Sequence, residues 1–240
     1  WAKPSGVLAS PTRWCISGGG TNTINYVTIA TTGNAADFGD LTDGTREEGT
    51  GASNAVRGLF CGGSGPGTNN TTDYITIATL GDAIDFGDLL NQTELGTAAA
   101  SPTRIVVGGA TTPSKLNNID YFTIATTGNA LDFGDRTITG AAAGACSNGH
   151  GGLGGYGDSP LNAAQITIQY LTIATTGNSN DFGDLSEGRY VPAACASSTR
   201  GIVAGGDGSP GSAKSSIDYV TISSQGDAST FGSLSVANGY

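Results

Sequence analysis

Four pairs of carboxylates stand three residues apart in a recurring phrase, DFGD: Asp37 with Asp40, Asp85 with Asp88, Asp132 with Asp135, and Asp181 with Asp184. Two acids flanking a glycosidic bond can hydrolyse it, one as general acid and the other as nucleophile or base. That chemistry needs one pair, in two environments that push the pKa values apart. Four equivalent pairs point instead to a structural task, with aspartate oxygens accepting backbone N–H groups at turns or pairing with a repeated arginine. No catalytic residue is therefore assigned. No DxDxDG spacing is present, which argues against a calcium loop. Acids found in single units, Glu47, Glu48, Glu94 and Glu187, are the ones a hydrolase would have to use.

His150 is the only histidine. It sits in SNGHGGLGGYG, where other units carry Arg13, Arg57, Arg104 and Arg200, and is read as a structural replacement for that arginine. The glycine-rich stretch is followed by no Lys-Ser/Thr and no helical pattern, so a phosphate loop is rejected. Cys15, Cys61, Cys146 and Cys195 form no CxxC pair; neither a metal nor a cofactor is expected. Cys146 and Cys195 lie in runs of small residues and are read as small buried thiols.

The formal net charge of −10, from 10 basic and 20 acidic side chains, repels phosphate backbones and anionic lipid. Nucleic acid and membrane insertion are thus excluded as expected partners, and no run of 18 apolar residues suggests a span. The chain begins at Trp1 and contains no Met, so a trimmed or partial chain is the expectation.

These residues are positioned by a repeat. The phrase IDYFTIATTGNALDFGD from Ile119 returns in four other versions, and the tyrosines Tyr26, Tyr74, Tyr121, Tyr170 and Tyr219 are spaced by 48, 47, 49 and 49 residues. A fixed period of this size signals a repeat architecture. Five units use the whole chain as a single domain, with boundaries near residues 1–41, 42–89, 90–136, 137–185 and 186–234. With 40 glycines and only 12% charged residues, the composition suits an all-β chain with many tight turns.

Within the last unit the reading is four short strands, over residues 191–198, 200–205, 217–223 and 228–234. In the third strand Tyr219 and Thr221 face one side, Val220 and Ile222 the other, as in a sheet covered on both faces. The Gly-Asn and Gly-Asp dipeptides that follow, such as Gly128-Asn129, predict a tight hairpin between third and fourth strands. Four-stranded antiparallel sheets repeated around an axis make a propeller, whereas solenoid coils are generally shorter than this period. The alanine runs at 98–100, 141–145 and 193–196 suit crowded innermost strands. The expected architecture is a five-bladed β-propeller, closed mainly by face-to-face packing of the first and last blades.

The third-to-fourth-strand turns are near copies, but the loops between second and third strands differ: 21–23, 64–71, 110–118, 157–167 and 207–216. Loops on a rigid scaffold are where binding usually sits. Asn69, Asn70, Lys115, Asn117, Tyr156, Asp158 and Lys214 are the candidate ligand-binding residues, able to supply hydrogen bonds and a stacking ring to a sugar.

The order of apolar strand, glycine pair, tyrosine-bearing strand and aromatic (LFCGG, then Asp73-Tyr74, then Phe86) resembles the kelch repeat, with Phe where kelch units usually have Trp. More narrowly, the tandem DYxTIATTGNAxDFGDL unit looks like repeats of structural proteins of marine tailed phages, often described as kelch-like. The resemblance covers all five units. Departures are Thr230-Phe231-Gly232-Ser233, which lacks both acids, and His150. The resemblance implies a non-enzymatic structural or adhesive module of a virion, in a tail fibre or other surface appendage. Its implied partners are other virion proteins and a host-surface saccharide, and its implied place is the particle surface. Two other classes stand beside it: a lectin-like propeller outside a phage, and a glycoside hydrolase on a five-bladed propeller.

Overall fold

A computed structural model describes residues 12–17, 19–65, 68–110, 114–140, 144–154, 164–208 and 212–239. Each repeat folds as one antiparallel sheet. Sheet one contains β1 (Arg13–Ile16), β2 (Thr23–Thr28) and β3 (Ala36–Asp40). Sheet two contains β4 (Thr50–Ser53), β5 (Arg57–Ser64), β6 (Thr68–Thr76) and β7 (Ile84–Asp88). Sheet three contains β8 (Thr97–Ala100), β9 (Arg104–Ala110), β10 (Leu116–Thr123) and β11 (Leu131–Asp135). Sheet four contains β12 (Cys146–Ser147), β13 (Gly151–Gly154), β14 (Gln165–Thr172) and β15 (Asn180–Arg189). Sheet five contains β16 (Ala193–Ala196), β17 (Arg200–Ala204), the short β18 (Asp207–Gly208), β19 (Ser212–Thr221) and β20 (Ser229–Asn238). The five sheets stand in a ring, and the molecule is a five-bladed β-propeller. The strand expected innermost in the first unit falls on residues 1–11, outside the described residues.

The same irregularity recurs in every sheet. Thr72 pairs with Gly87 and Asp73 with Asp85, so Phe86 is the extra residue of a bulge; Phe38, Phe133, Phe182 and Phe231 are skipped likewise. The bulge places the phenylalanine on the same face as the tyrosine of the neighbouring strand. The two rings then meet edge to face, at centroid distances from 5.6 Å (Tyr74–Phe86) to 6.1 Å (Tyr219–Phe231). Over each tyrosine but Tyr170 lies an arginine: Arg13, Arg57, Arg104 and Arg200 at 4.6–4.8 Å.

Packing runs in one direction around the ring. The Tyr/Phe face of a sheet lies on the opposite face of the next, for example Leu59, Cys61, Phe86 and Leu89 against Ile105, Val107, Phe122 and Ile124. Four such cores join sheets one to two, two to three, three to four and four to five. The Gly-Asx dipeptides belong to these junctions, which corrects the hairpin reading. β6 and β7 do pair as a hairpin, but the chain reverses at residues 76–79, where Thr79 N donates to Thr76 O. Gly81 and Asp82 then run along sheet one: Gly81 N donates to Phe38 O, Ala83 N to Asp40 O, and Asp82 Oδ1 accepts Asp40 N. The glycine's freedom is spent on edge contact between sheets.

The expected packing of first sheet on last is not formed among the described residues. Phe231 is 54% exposed, whereas Phe38, Phe86, Phe133 and Phe182 are 1–4% exposed. On sheet one, Trp14 is 59% and Ile29 55% exposed. The bare face coincides with the departure at Thr230-Phe231-Gly232-Ser233. Asp37, Asp85, Asp132 and Asp181 each hold the glycine two residues on by its N–H, and that glycine has φ between 137° and 147°. Thr230 has no carboxylate to do so, and Gly232 does not adopt the positive φ of its four counterparts.

Candidate functional site

The first carboxylate of each DFGD pair is committed to the fold, and the second acid engages the next sheet through its backbone. In each of the four complete copies the first acid accepts the glycine N–H at 3.0–3.2 Å. The second offers its own N–H to an Asx side chain of the next sheet: Asp40 to Asp82, Asp88 to Asn129, Asp135 to Asn178, and Asp184 to Asp227. The first of the two structural roles expected from sequence is realised. The repeated arginine, in contrast, does not pair with these acids but donates across the junction, Arg13 Nη1 to Ile77 O and Arg57 Nη1 to Ile124 O at 2.8 Å. The register corrects the reading of His150 as the arginine's replacement: Gly151 pairs with Thr172 as Arg57 does with Thr76, so His150 stands one residue earlier, where it is exposed and its N–H donates to Asn148 Oδ1.

A second set of polar residues was not singled out from sequence. The residue before each repeat tyrosine (Asn25, Asp73, Asp120, Gln169, Asp218) is polar, and in all but Asp73 it follows an isoleucine on an alternating strand. That was the available signal, obscured by the more numerous DFGD acids. Asp73, fully buried, accepts Thr42 N and Thr42 Oγ1 from the segment that leaves sheet one, and Arg46 Nη2 at 3.0 Å. Asp218 repeats this with Ser186 and Arg189 Nη2 at 3.1 Å. Gln169 does so without charge, its Oε1 accepting Thr137 N at 2.8 Å. Asp120 accepts Leu90 N and Asn118 Nδ2, each at 3.0 Å, but Thr93 stands where the other units have Arg46 and Arg189. Burial, the largest influence, pushes its carboxyl above the ordinary value, against the lowering effect of those two bonds. Burial also takes Arg136 down to about 10; its guanidinium donates to the Leu116 and Gly140 carbonyls. These groups tie the segment leaving one sheet to the sheet that follows it.

The loop residues proposed for recognition are partly occupied within the fold. Asn69 donates from Nδ2 to Asp43 and accepts Thr71 N on Oδ1. Asn70 donates from Nδ2 to Leu89 O. Asn117 is half-buried, and its carbonyl accepts Arg136 N. Lys115 is half-buried. Lys214 forms a 2.7 Å ion pair with Glu187, whose carboxyl is held below its usual value chiefly by bonds from Lys214 and Ser216. Tyr156 and Asp158 lie outside the described residues. Asn69 thus lies beside Asp43 and Asn70 at the Leu89 carbonyl, while Lys214 belongs to a separate cluster with Glu187 and Arg189. Of the other single-unit acids, Glu47 is exposed through part of its surface and pairs by backbone with Ser64; Glu48 lines the ring's centre.

That centre is a cavity of about 780 Å³. Its wall carries the innermost-strand residues Ala98, Ala145, Ala194 and Ala196, as the alanine runs suggested, and all four cysteines. Among the described residues no three His, Cys, Asp or Glu side chains converge to hold a metal ion. Cys146 is buried as expected; Cys61 is buried too, and burial pushes its thiol up to about 12. Cys195 is exposed, which corrects the reading of a buried thiol; it lies on the face of sheet five that no other sheet covers.

No protein-family model matches the chain, and no curated protein is similar to it. The arrangement offers a ring of five sheets around a weakly polar central cavity.

Proposed function

We propose that the chain is a non-catalytic structural or adhesive propeller of a phage virion, kelch-like in its repeat, that displays the loops between second and third strands to a host-surface saccharide. The observation that supports the non-catalytic half is the fourfold repetition of one arrangement, in which the first DFGD carboxylate holds the glycine N–H and the second acid's backbone N–H meets the next sheet. A catalytic pair needs two acids in unlike environments with room for a sugar between them. The virion half is supported by the resemblance of the tandem DYxTIATTGNAxDFGDL unit to phage structural repeats. Recognition through loops is supported by their divergence on a scaffold whose third-to-fourth-strand turns are near copies.

The test is binding of the purified chain to a glycan array and to intact bacteria, with a polysaccharide hydrolysis panel alongside. Saturable binding weakened by substitutions in the loops, without hydrolysis, is the expected result. Equivalent sugar pockets in each sheet would favour a lectin outside a phage. Turnover abolished by changing Glu48 or Glu187 would replace the proposal with a glycosidase.

A further inference from the structure

Four sheet junctions are built alike, and the two faces that would make a fifth are bare among the described residues. At each formed junction three kinds of contact recur: a glycine N–H on the preceding sheet's phenylalanine carbonyl, an Asx oxygen on the N–H two residues later, and an apolar core. In the first three, an arginine also reaches the next sheet's isoleucine carbonyl. Sheet five offers the Phe231 ring and carbonyl, Ser233 N and Arg200, which makes no such carbonyl bond. Sheet one offers Gly33, Asn34 and Ile29 at the registers that complete the set.

The backbone agrees. A Cβ on Gly39, Gly87, Gly134 or Gly183 would strike the backbone of the adjoining sheet at 2.4–2.6 Å, while one on Gly232 meets nothing within 4 Å. Gly81, Gly128, Gly177 and Gly226 hold φ of 145–152°, and Gly33 does not. Both ends of the ring are therefore in the unengaged form of a surface whose engaged form is seen four times.

We propose that this seam is a self-association surface: the sheet-five face around Phe231 takes the sheet-one face around Ile29 and Trp14 of a second copy of this chain, head to tail. The occupant must present an isoleucine carbonyl, a Gly-Asx edge and an apolar sheet face in one register, and sheet one of another copy carries all three. Trp14, unburied in the single chain, is the natural anchor of the contact. Because the two faces differ, the contact is heterologous, and each chain has one of each.

Sedimentation velocity on the full chain tests this, with Phe231→Asp and Ile29→Asp made separately and their folds checked by circular dichroism. Both side chains are exposed in the single chain, so neither change disturbs the core. The wild-type mass is expected to rise with concentration to two chains or more, and each variant alone is expected to remain a single chain. Mixed in equal amounts, the variants should form a dimer and stop there, since each retains the face that is disabled in the other. A wild type that remains a single chain at every concentration overturns the proposal, including the case where its own end sheets close on each other. Variants that still associate alone, or a mixture that does not, overturn it as well.

Discussion

Replacing Gly87 by alanine should be far more costly than the same change at Gly232, although the two glycines hold the same position in FGD and FGS. At Gly87 φ is 137°, and an added Cβ would lie 2.5 Å from the carbonyl carbon and oxygen of Gly128. Holding a residue other than glycine in such a region costs about 1–3 kcal/mol. Pushing sheet three's edge away to make room costs about 1–3 kcal/mol more. The hydrogen bond from Gly128 N to Phe86 O, 2.7 Å long, would be the first to break. A total of about 4 kcal/mol is expected, or a fall in Tm of roughly 8–16 °C for a chain of this size. Gly232→Ala meets nothing within 4 Å and should change stability by no more than about 0.5 kcal/mol. Urea unfolding followed by far-ultraviolet circular dichroism on both variants measures the contrast. Equal effects at the two sites, or a Gly87→Ala protein as stable as wild type, would refute the argument that the glycine is required by the close approach of neighbouring sheets.

Arg189→Ala removes the buried partner of Asp218, and leaving that carboxylate unpaired should cost about 3–5 kcal/mol in a denaturant titration, whereas the double variant Arg189→Ala/Asp218→Asn should recover part of that stability. Asp120 has a folded-state pKa above its unfolded value, so its contribution to stability is fully present in acid below the unfolded value and is lost as pH rises through the folded one. Asp120→Asn, which preserves an oxygen for Leu90 N as Gln169 does for Thr137 N, should therefore be as stable as wild type or more so at neutral pH, with the difference closing in acid; a variant less stable at neutral pH contradicts this. At dilution, where the chain is single, iodoacetamide should label exposed Cys195 in the native protein and leave Cys61, buried and pushed up to about 12, unlabelled until the chain unfolds, as read by peptide mass spectrometry.

The repeat period, the four-strand unit and the alternation on either side of Tyr219 could be read from residues alone, because a sheet's two faces and its turns are written locally at a spacing of two. So could the structural use of the DFGD acids, since Asp85 bonds Gly87, two residues away. What the local pattern could not assign was the partner across a junction. Gly81-Asp82 has the chemistry of a hairpin turn, and only the placement of sheet one decides that its N–H goes to Phe38 O instead. The bulge at Phe86, the staple from Asp73 to Thr42 and the pairing of Lys214 with Glu187 likewise depend on groups brought together by other strands. The same holds for exposure. Phe86 and Phe231 occupy one position in the repeat and have the same side chain, but only the first has a neighbouring sheet to cover it. Sequence thus determined what each face is able to bind, and the ring decided which faces are bound, because burial is a property of what lies opposite a residue and not of the residue itself.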